Sequence, residues 1–459
     1  MKTAEIPNNR FVVFGSGRSG LAAAKLLKRH GASVAVADEK PVDPNSPAAV
    51  ELAEADILLF SGESSSKAFE GRDVIVLSPG IPRYHPRVGR ALSGGLRVIG
   101  EIELASAFVP EDSRVIAITG TNGKTTTTAW ISHLLTQAGF DAPAVGNIGA
   151  SWSESVDQPR TDPGNTIFVV ETSSFQLESV EDLHPNIALL TNLAPDHLDR
   201  YSNYGEYVAA KKHILRNLTP DDAFLWNSDN TDSRTFFSTA NTRTFCFSAS
   251  GDTGMPGAFM SGDILCVRDE NEVATELLGS DDLPLPGQHN LENALATALA
   301  ATLAGAPIEA IREGLRTFRG VEHRIEFCGE KNGVRYYNDS KATNIDSLEK
   351  ALKSFRAPVI LIAGGRHKGT SYDVLKELVG ERVKRVLAIG EAAQLMEESW
   401  SAVTSVVRAR NMEDAVRQAC ATSESGDVVL LSPACSSYDM YNNYEERGRD
   451  FKARVQAVL

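Results

Sequence analysis

The sequence has few cysteines, and none are arranged as a metal site or disulfide framework would need. Cys246, Cys266, Cys328, Cys420 and Cys435 are an odd number in 459 residues, with no C-x-x-C pair and no histidine at zinc-finger spacing. A reducing compartment and no structural zinc are expected. Also missing is any apolar run near the roughly 18 to 20 residues of a membrane helix, and the first ten residues are polar, so a cytoplasmic protein without membrane insertion is expected. There is no basic excess: 46 Lys and Arg face 60 Asp and Glu, a formal charge of −14. Such a surface has no general attraction for nucleic acid, so an anionic ligand needs a local site. What is present, 42% hydrophobic and 23% charged residues without low-complexity segments, is an ordinary globular composition. At roughly 100 to 200 residues per domain, the length predicts two to four domains.

Short apolar runs alternate with helical stretches along the chain, which predicts an α/β protein with parallel sheets. In the first block Phe11–Phe14, Ser33–Ala37, Ile57–Phe60, Val74–Leu77 and Leu96–Ile99 read as strands, and Leu21–His30 as a helix. A polar, Pro-containing stretch, Val109–Ser113, reads as a linker. Arg114–Thr119, Ile167–Val170 and Ile187–Leu190 are the strands of a second block, Thr127–Gln137 and His289–Ala304 its helices, with small antiparallel strands or loops expected over 231–282. In the third block Arg324–Phe327 and Val334–Tyr337, split by Glu330–Gly333, read as a hairpin, before strands Val359–Ala363, Val386–Ile389 and Val428–Leu431. Three α/β domains are predicted: 1–108 and 318–459, both Rossmann-like, and 109–317, resembling a P-loop ATPase.

Gly15-Ser16-Gly17-Arg18-Ser19-Gly20 fits G-x-G-x-x-G between a strand and a helix, and Asp38 ends the next strand. Glycines let backbone amides approach a diphosphate at a helix N-terminus, and Asp38 is placed to accept from a sugar hydroxyl. Ser78-Pro79-Gly80, at another strand end, faces the same edge. Gly120-Thr121-Asn122-Gly123-Lys124-Thr125-Thr126 has the terminal signature of a phosphate-binding loop, although Ile118 stands where the general pattern has glycine. Its amides and Lys124 would neutralise the phosphates of ATP, and the Thr125 hydroxyl would ligate Mg²⁺. Glu171 ends a strand where nucleotide-binding sheets present an acidic metal ligand, and His197 follows the end of another strand at the same sheet edge.

Gly120–Thr125, Gly146-Asn-Ile-Gly149, Glu171-Thr-Ser-Ser-Phe-Gln-Leu-Glu178, Asp196-His-Leu-Asp-Arg-Tyr201, Gly287-Gln-His-Asn290, Glu322-His-Arg324, Asn338-Asp-Ser-Lys-Ala-Thr-Asn344, Gly364-Gly-Arg-His-Lys368 and the run Leu431–Gly448 resemble, in order, the motifs of the Mur ligases. The resemblance spans Gly15 to Phe451, and the last run is similar to that of the members adding D-glutamate. It implies a bacterial enzyme of peptidoglycan precursor synthesis, expected as a monomer. Such an enzyme transfers the γ-phosphoryl of ATP to the carboxylate of UDP-N-acetylmuramoyl-L-alanine, and D-glutamate then attacks the acyl phosphate. Thr125 and Glu171 would hold one Mg²⁺, His197 and a carbamylated Lys211 a second. Asn147 would contact the muramoyl-alanine end. Asn290, Arg324, Asp339 and Lys341 would hold the nucleotide, and Thr343, Lys368, Ser436, Ser437 and Tyr444, where the family has phenylalanine, would surround D-glutamate. Two other readings are a folylpolyglutamate-type ligase and a nicotinamide-dependent oxidoreductase built on Gly15–Gly20; the latter leaves the phosphate loop without a task.

Overall fold

Apolar runs of four to seven residues become strands covered on both faces, which is why they show little alternation of polar and apolar side chains. The structure, a computed structural model, describes residues 3–459 apart from Leu198, Asp199, Ser238, Thr239, Pro286, Lys368 and Thr370. The chain divides into two compact units, Met1–Phe318 and Arg319–Leu459.

The first unit carries two sheets. One has five parallel strands in the order Leu58–Ser61, Ser33–Asp38, Arg10–Phe14, Val74–Leu77, Arg97–Gly100. Phe11 and Val13 point into one apolar cluster, Val12 and Phe14 into another, so each face has its own core. The second sheet has nine strands, with Arg114–Thr119 between Ile187–Leu190 and Ile167–Glu171. The segment expected to hold antiparallel strands or loops does hold antiparallel strands, over 257–279, and it extends this sheet. Arg243–Ser248 joins parallel to Ala223–Asn227, Gly257–Ser261 is parallel to Arg243–Ser248, and only the last two pairings are antiparallel.

The two sheets of this unit share a core. Leu26, Ile102 and Ala105, from helices flanking the first sheet, are buried with Val115, Trp152 and Phe168 of the second. Two buried carboxylates reinforce the seam. Glu103 accepts the amides of Glu181, Asp182 and Leu183 at 3.0, 2.9 and 3.1 Å. Glu101 accepts from the Ser151 hydroxyl at 2.7 Å and the Ser153 amide at 2.8 Å, where helix Trp152–Val156 begins.

The second unit has a six-stranded sheet in the order Glu326–Lys331, Val334–Asn338, Val428–Leu431, Val359–Gly364, Val383–Ile389, Ser405–Arg408. Val428 and Leu430 enter one core and Val429 and Leu431 the other. The hairpin differs from expectation: its first strand starts at Glu326 and runs to Lys331. Arg324 and Ile325 form an irregular turn, Ile325 at φ 43°, and the loop is only Asn332-Gly333. Both loop residues have positive φ, 52° and 77°, the type I′ geometry that matches strand twist and that Asn-Gly adopts at low cost.

Candidate active site

In the first sheet the strand order reverses between Arg10–Phe14 and Val74–Leu77, the crevice where such sheets bind ligands. The Gly15–Gly20 turn and Ser78 meet there, the Ser78 hydroxyl donating to the Gly15 carbonyl at 2.9 Å. The glycines divide by role. A Cβ at Gly20 would lie 1.9 Å from the Gly15 carbonyl oxygen, and Gly15 has φ 104°, so both are required by packing and backbone. Gly17 and Gly80 have no atom within 4 Å of a Cβ position, and Gly17 has φ −69°. Gly17→Val is therefore expected to fold normally and to weaken binding of a diphosphate-bearing ligand at this turn without affecting a ligand of the Gly120–Thr126 loop, as titration calorimetry of each would show.

Asp38, at the end of strand Ser33–Asp38, is tied into the same turn. Its Oδ2 accepts both the amide and the hydroxyl of Ser16, at 2.9 and 2.5 Å, and Oδ1 accepts the Lys40 amide. Burial acts to raise this carboxyl, but the Ser16 and Lys40 donors outweigh it and hold it below the ordinary value. Asp38 thus shapes the turn, while Arg18, at the start of helix Arg18–Arg29, donates to the Gly149 carbonyl.

In the second sheet the loop Gly120–Gly123 joins strand Arg114–Thr119 to helix Lys124–Gln137. Ile118 belongs to the strand and pairs with Glu171 and Leu189, which accounts for the missing glycine: the turn opens only at Gly120. Gly120 has φ 145° and Gly123 φ 83°; a Cβ would meet Thr191 Oγ1 at 1.9 Å and Asn293 Oδ1 at 2.4 Å respectively. The loop is gripped by the segment after Ile187–Leu190. Asn192 accepts the Asn122 amide through its side chain at 2.9 Å, and Thr121 Oγ1 bonds the Ala194 amide and Tyr207 hydroxyl. Asn293 accepts from the Thr127 hydroxyl, lies one helical turn from Asn290 and donates from its side-chain amide to the Asn290 side-chain oxygen at 3.3 Å. Asn192, Tyr207 and Asn293 were not singled out from sequence.

Lys124 Nζ donates to the carbonyls of Gly120 and Thr121, both at 2.8 Å. Lys211, on the separate helix Tyr204–Lys212, donates to the same Gly120 carbonyl at 2.7 Å. Lys211 is 1% exposed, and its ammonium lies over the Tyr207 ring, 4.6 Å from the centroid. Burial, and then the neighbouring Lys124 charge, push its pKa well below the usual lysine value. Thr125 is buried in the first helical turn. Glu171 is buried at its strand end; Oε1 accepts from Asn147 Nδ2 at 2.8 Å, whereas Oε2 has no hydrogen-bond partner among the described residues. Asn147 is thus placed as a support for Glu171. His197 is exposed, with φ 53°, and its ring meets that of Phe175 edge-on at 4.8 Å.

The second unit assembles the rest, by itself, at the ends of its central strands. Asp339 is buried and accepts from Ser432 Oγ at 2.9 Å and the Ile325 amide at 3.3 Å. Burial pushes its pKa to about 7, against hydrogen bonds and Arg324, which act to lower it. Lys341 lies over the Tyr444 ring, 6.0 Å from the centroid, and Thr343 is close in the chain, its amide on the Lys341 carbonyl. The Ser436 carbonyl accepts the Arg366 amide, the buried Ser437 carbonyl accepts from Met440 and Tyr441, and Tyr444 opens helix Tyr444–Val458. Lys368 lies outside the described residues. One residue absent from the expected set links these loops: buried Arg447 donates to the Ser340 hydroxyl and carbonyl and to the Cys435 carbonyl, at 2.9 to 3.1 Å. Burial lowers its pKa to about 10.

The Asp339 shift has a sign that stability measurements can read. The native state keeps a proton that the unfolded chain releases near 3.8, so stability falls as pH rises from there to about 7. Asp339→Asn is expected to flatten that part of the pH profile, measured by denaturant unfolding without nucleotide.

Residues 9–100 match the Mur ligase MurD-like N-terminal domain, 118–301 the Mur ligase middle domain, and 323–435 the Mur ligase glutamate ligase domain. The chain is 41% identical over 454 residues to the UDP-N-acetylmuramoylalanine--D-glutamate ligase of Acidobacterium capsulatum, covering 99% of this chain and 97% of that protein. It is 40% identical over 461 residues to the protein of the same name from Streptococcus sanguinis, covering 100% and 99%. Among solved structures, MurF from Acinetobacter baumannii superposes with a TM-score of 0.61 at 15% identity, covering 98% of each chain. MurC from Thermotoga maritima gives 0.58 at 17%, covering 98% and 100%. These two show the same fold. With the phosphate loop, the strand-end Glu171 and matches along its whole length, the chain belongs to the Mur ligase family.

Proposed function

We propose that this protein is the ATP-dependent ligase that joins D-glutamate to UDP-N-acetylmuramoyl-L-alanine, with release of ADP and phosphate, in peptidoglycan precursor synthesis. The observation that carries the site assignment is the convergence of Lys124 and Lys211, from different helices, on the Gly120 carbonyl beside Glu171. A carboxylate resists attack by an amine until it has a leaving group, and phosphoryl transfer from ATP supplies one.

In this reading the Gly120–Thr126 amides and Lys124 hold the phosphates, while Asn290, Arg324, Asp339 and Lys341 hold the rest of the nucleotide. Gly15–Gly20, Ser78, Gly80 and Asn147 serve the UDP substrate, and Thr343, Lys368, Ser436, Ser437 and Tyr444 serve D-glutamate. The residues present suit Mg²⁺: the buried Glu171 Oε2 lacks a hydrogen-bond partner among the described residues, and Thr125 offers a hydroxyl. Mg²⁺ neutralises charge on the transferring phosphoryl group. Thr125 and Glu171 would hold one ion, His197 and Lys211 a second. A buried lysine whose pKa is lowered presents the neutral amine that reacts with CO₂, and the resulting carbamate gives Lys211 an anionic oxygen in place of a repelling ammonium.

Phosphate release from ATP in the presence of UDP-N-acetylmuramoyl-L-alanine tests the reading, with D-glutamate, L-glutamate or no amino acid added. Release is expected to depend on D-glutamate; equal release with L-glutamate would defeat the assigned specificity.

A further inference from the structure

Arg200 has no task in the chemistry above, yet it is built into the first unit with unusual care. Its guanidinium carbon stands 3.6 Å from the centre of the Phe175 ring and 5.5 Å from that of Tyr84. Phe175 in turn meets the His197 ring edge-on at 4.8 Å. Tyr84 comes from the segment that follows the Ser78 turn of the first sheet, so the series Tyr84, Arg200, Phe175, His197 leads from the UDP side to the proposed metal side.

The hydrogen bonding shows why arginine is there. One Nη donates to Glu178 at 3.3 Å, the other Glu178 oxygen takes the Tyr201 hydroxyl at 2.6 Å, and Arg83 donates to the Glu178 carbonyl at 3.2 Å. The buried Arg200 Nε has no hydrogen-bond partner among the described residues. A guanidinium whose carbon stands 3.6 Å from one ring centre and 5.5 Å from a second offers stacking that lysine cannot reproduce. His197 needs such support: it is exposed and held at φ 53°, a backbone region that non-glycine residues enter at a cost. Its carbonyl accepts the amides of Arg200 and Tyr201, both at 3.0 Å. Tyr84 is 65% exposed, so a ligand at the Ser78–Gly80 turn can press its ring onto the guanidinium.

We propose that Arg200 is a positioning residue that fixes the His197 ring through Phe175 and, through Tyr84, ties that orientation to occupancy of the UDP-substrate turn. The inference rests on the proposed function and deepens it: the acceptor substrate prepares the ligand of the second metal site before nucleotide or metal arrives.

The test compares the full-length wild type with Arg200→Lys, Arg200→Ala, Tyr84→Phe and Tyr84→Ala. Histidine-labelled protein without ATP or metal is titrated with UDP-N-acetylmuramoyl-L-alanine, and the ring resonances of His197, assigned with His197→Gln, are followed by NMR. The wild type and Tyr84→Phe are expected to show a substrate-induced shift of the His197 ring. Arg200→Ala, Arg200→Lys and Tyr84→Ala are expected to lose it, with kcat lower by on the order of 10-fold and KM for the UDP substrate changed far less. An unchanged His197 shift in Tyr84→Ala or in Arg200→Lys overturns the proposal. Should Arg200→Ala not fold, the two Tyr84 variants decide, since that ring is exposed. Calorimetry separates the two readings: absence of UDP-substrate binding to the wild type defeats the proposed function itself, whereas binding with a silent His197 defeats only the positioning role.

Discussion

Lys124→Ala is expected to lower ligase turnover by about 10² to 10³-fold, the usual cost of losing one preorganised charge stabiliser at a transferring group. The geometry sharpens this. Lys124 bonds two carbonyls of its own loop, so the substitution removes both a phosphate partner and a tie across Gly120–Thr121. The loop keeps its shape through other contacts: the Thr121 amide on the Asn192 carbonyl, the Asn122 amide on the Asn192 side chain, and the Thr191 hydroxyl on the Asn122 carbonyl. Loss of activity should therefore appear without loss of fold. The UDP substrate, assigned mainly to the turns of the other sheet of the same unit, should bind calorimetrically as in the wild type. Near-normal phosphate release by the variant would remove the ATP assignment.

Lys211→Ala is expected to be nearly inactive, for a different reason. A buried side chain is replaced by a small cavity lined by the Gly120 carbonyl and the Tyr207 ring, and the oxygen that a carbamate supplies is lost. Short carboxylic acids should then restore part of the activity by entering that space, because they carry the missing anionic oxygen. Bicarbonate depletion should inhibit the wild type and leave Lys211→Ala unaffected. Intact-protein mass on a fully liganded enzyme reads the modification directly. Absence of both chemical rescue and added mass would restrict Lys211 to holding the loop through the Gly120 carbonyl.

What could be read from the sequence depended on how local the cause was. The phosphate loop was legible because glycine, lysine and threonine at fixed spacing meet a local requirement, and the strands because burial on both faces leaves a continuous apolar run. The hairpin turn was placed too broadly, over Glu330–Gly333, although Asn332-Gly333 carries the signal; hydropathy alone does not fix register to the residue. Lys211 could be singled out only through the family resemblance, since nothing in Tyr207–Lys211 announces that its helix packs against Gly120. Asp38 was found for its position but not for its partner, because only folding reveals that Ser16 takes the carboxylate. Arg447, Asn192 and Tyr84 act through contacts between distant segments, and side-chain stacking or a buried guanidinium leaves no periodic trace in a sequence.

The seam inside the first unit bears on how this chain can be taken apart. Three amides of residues 181–183 close on one carboxylate from position 103, and Leu26 and Ile102 lie in the same core as Trp152. A fragment ending near residue 108 would expose that apolar face to water and strand Glu103 without its donors, and a fragment beginning there would leave the three amides unmet. For exchange of modules between related enzymes, the natural joint is therefore at Phe318, and the first two sheets should be transplanted together.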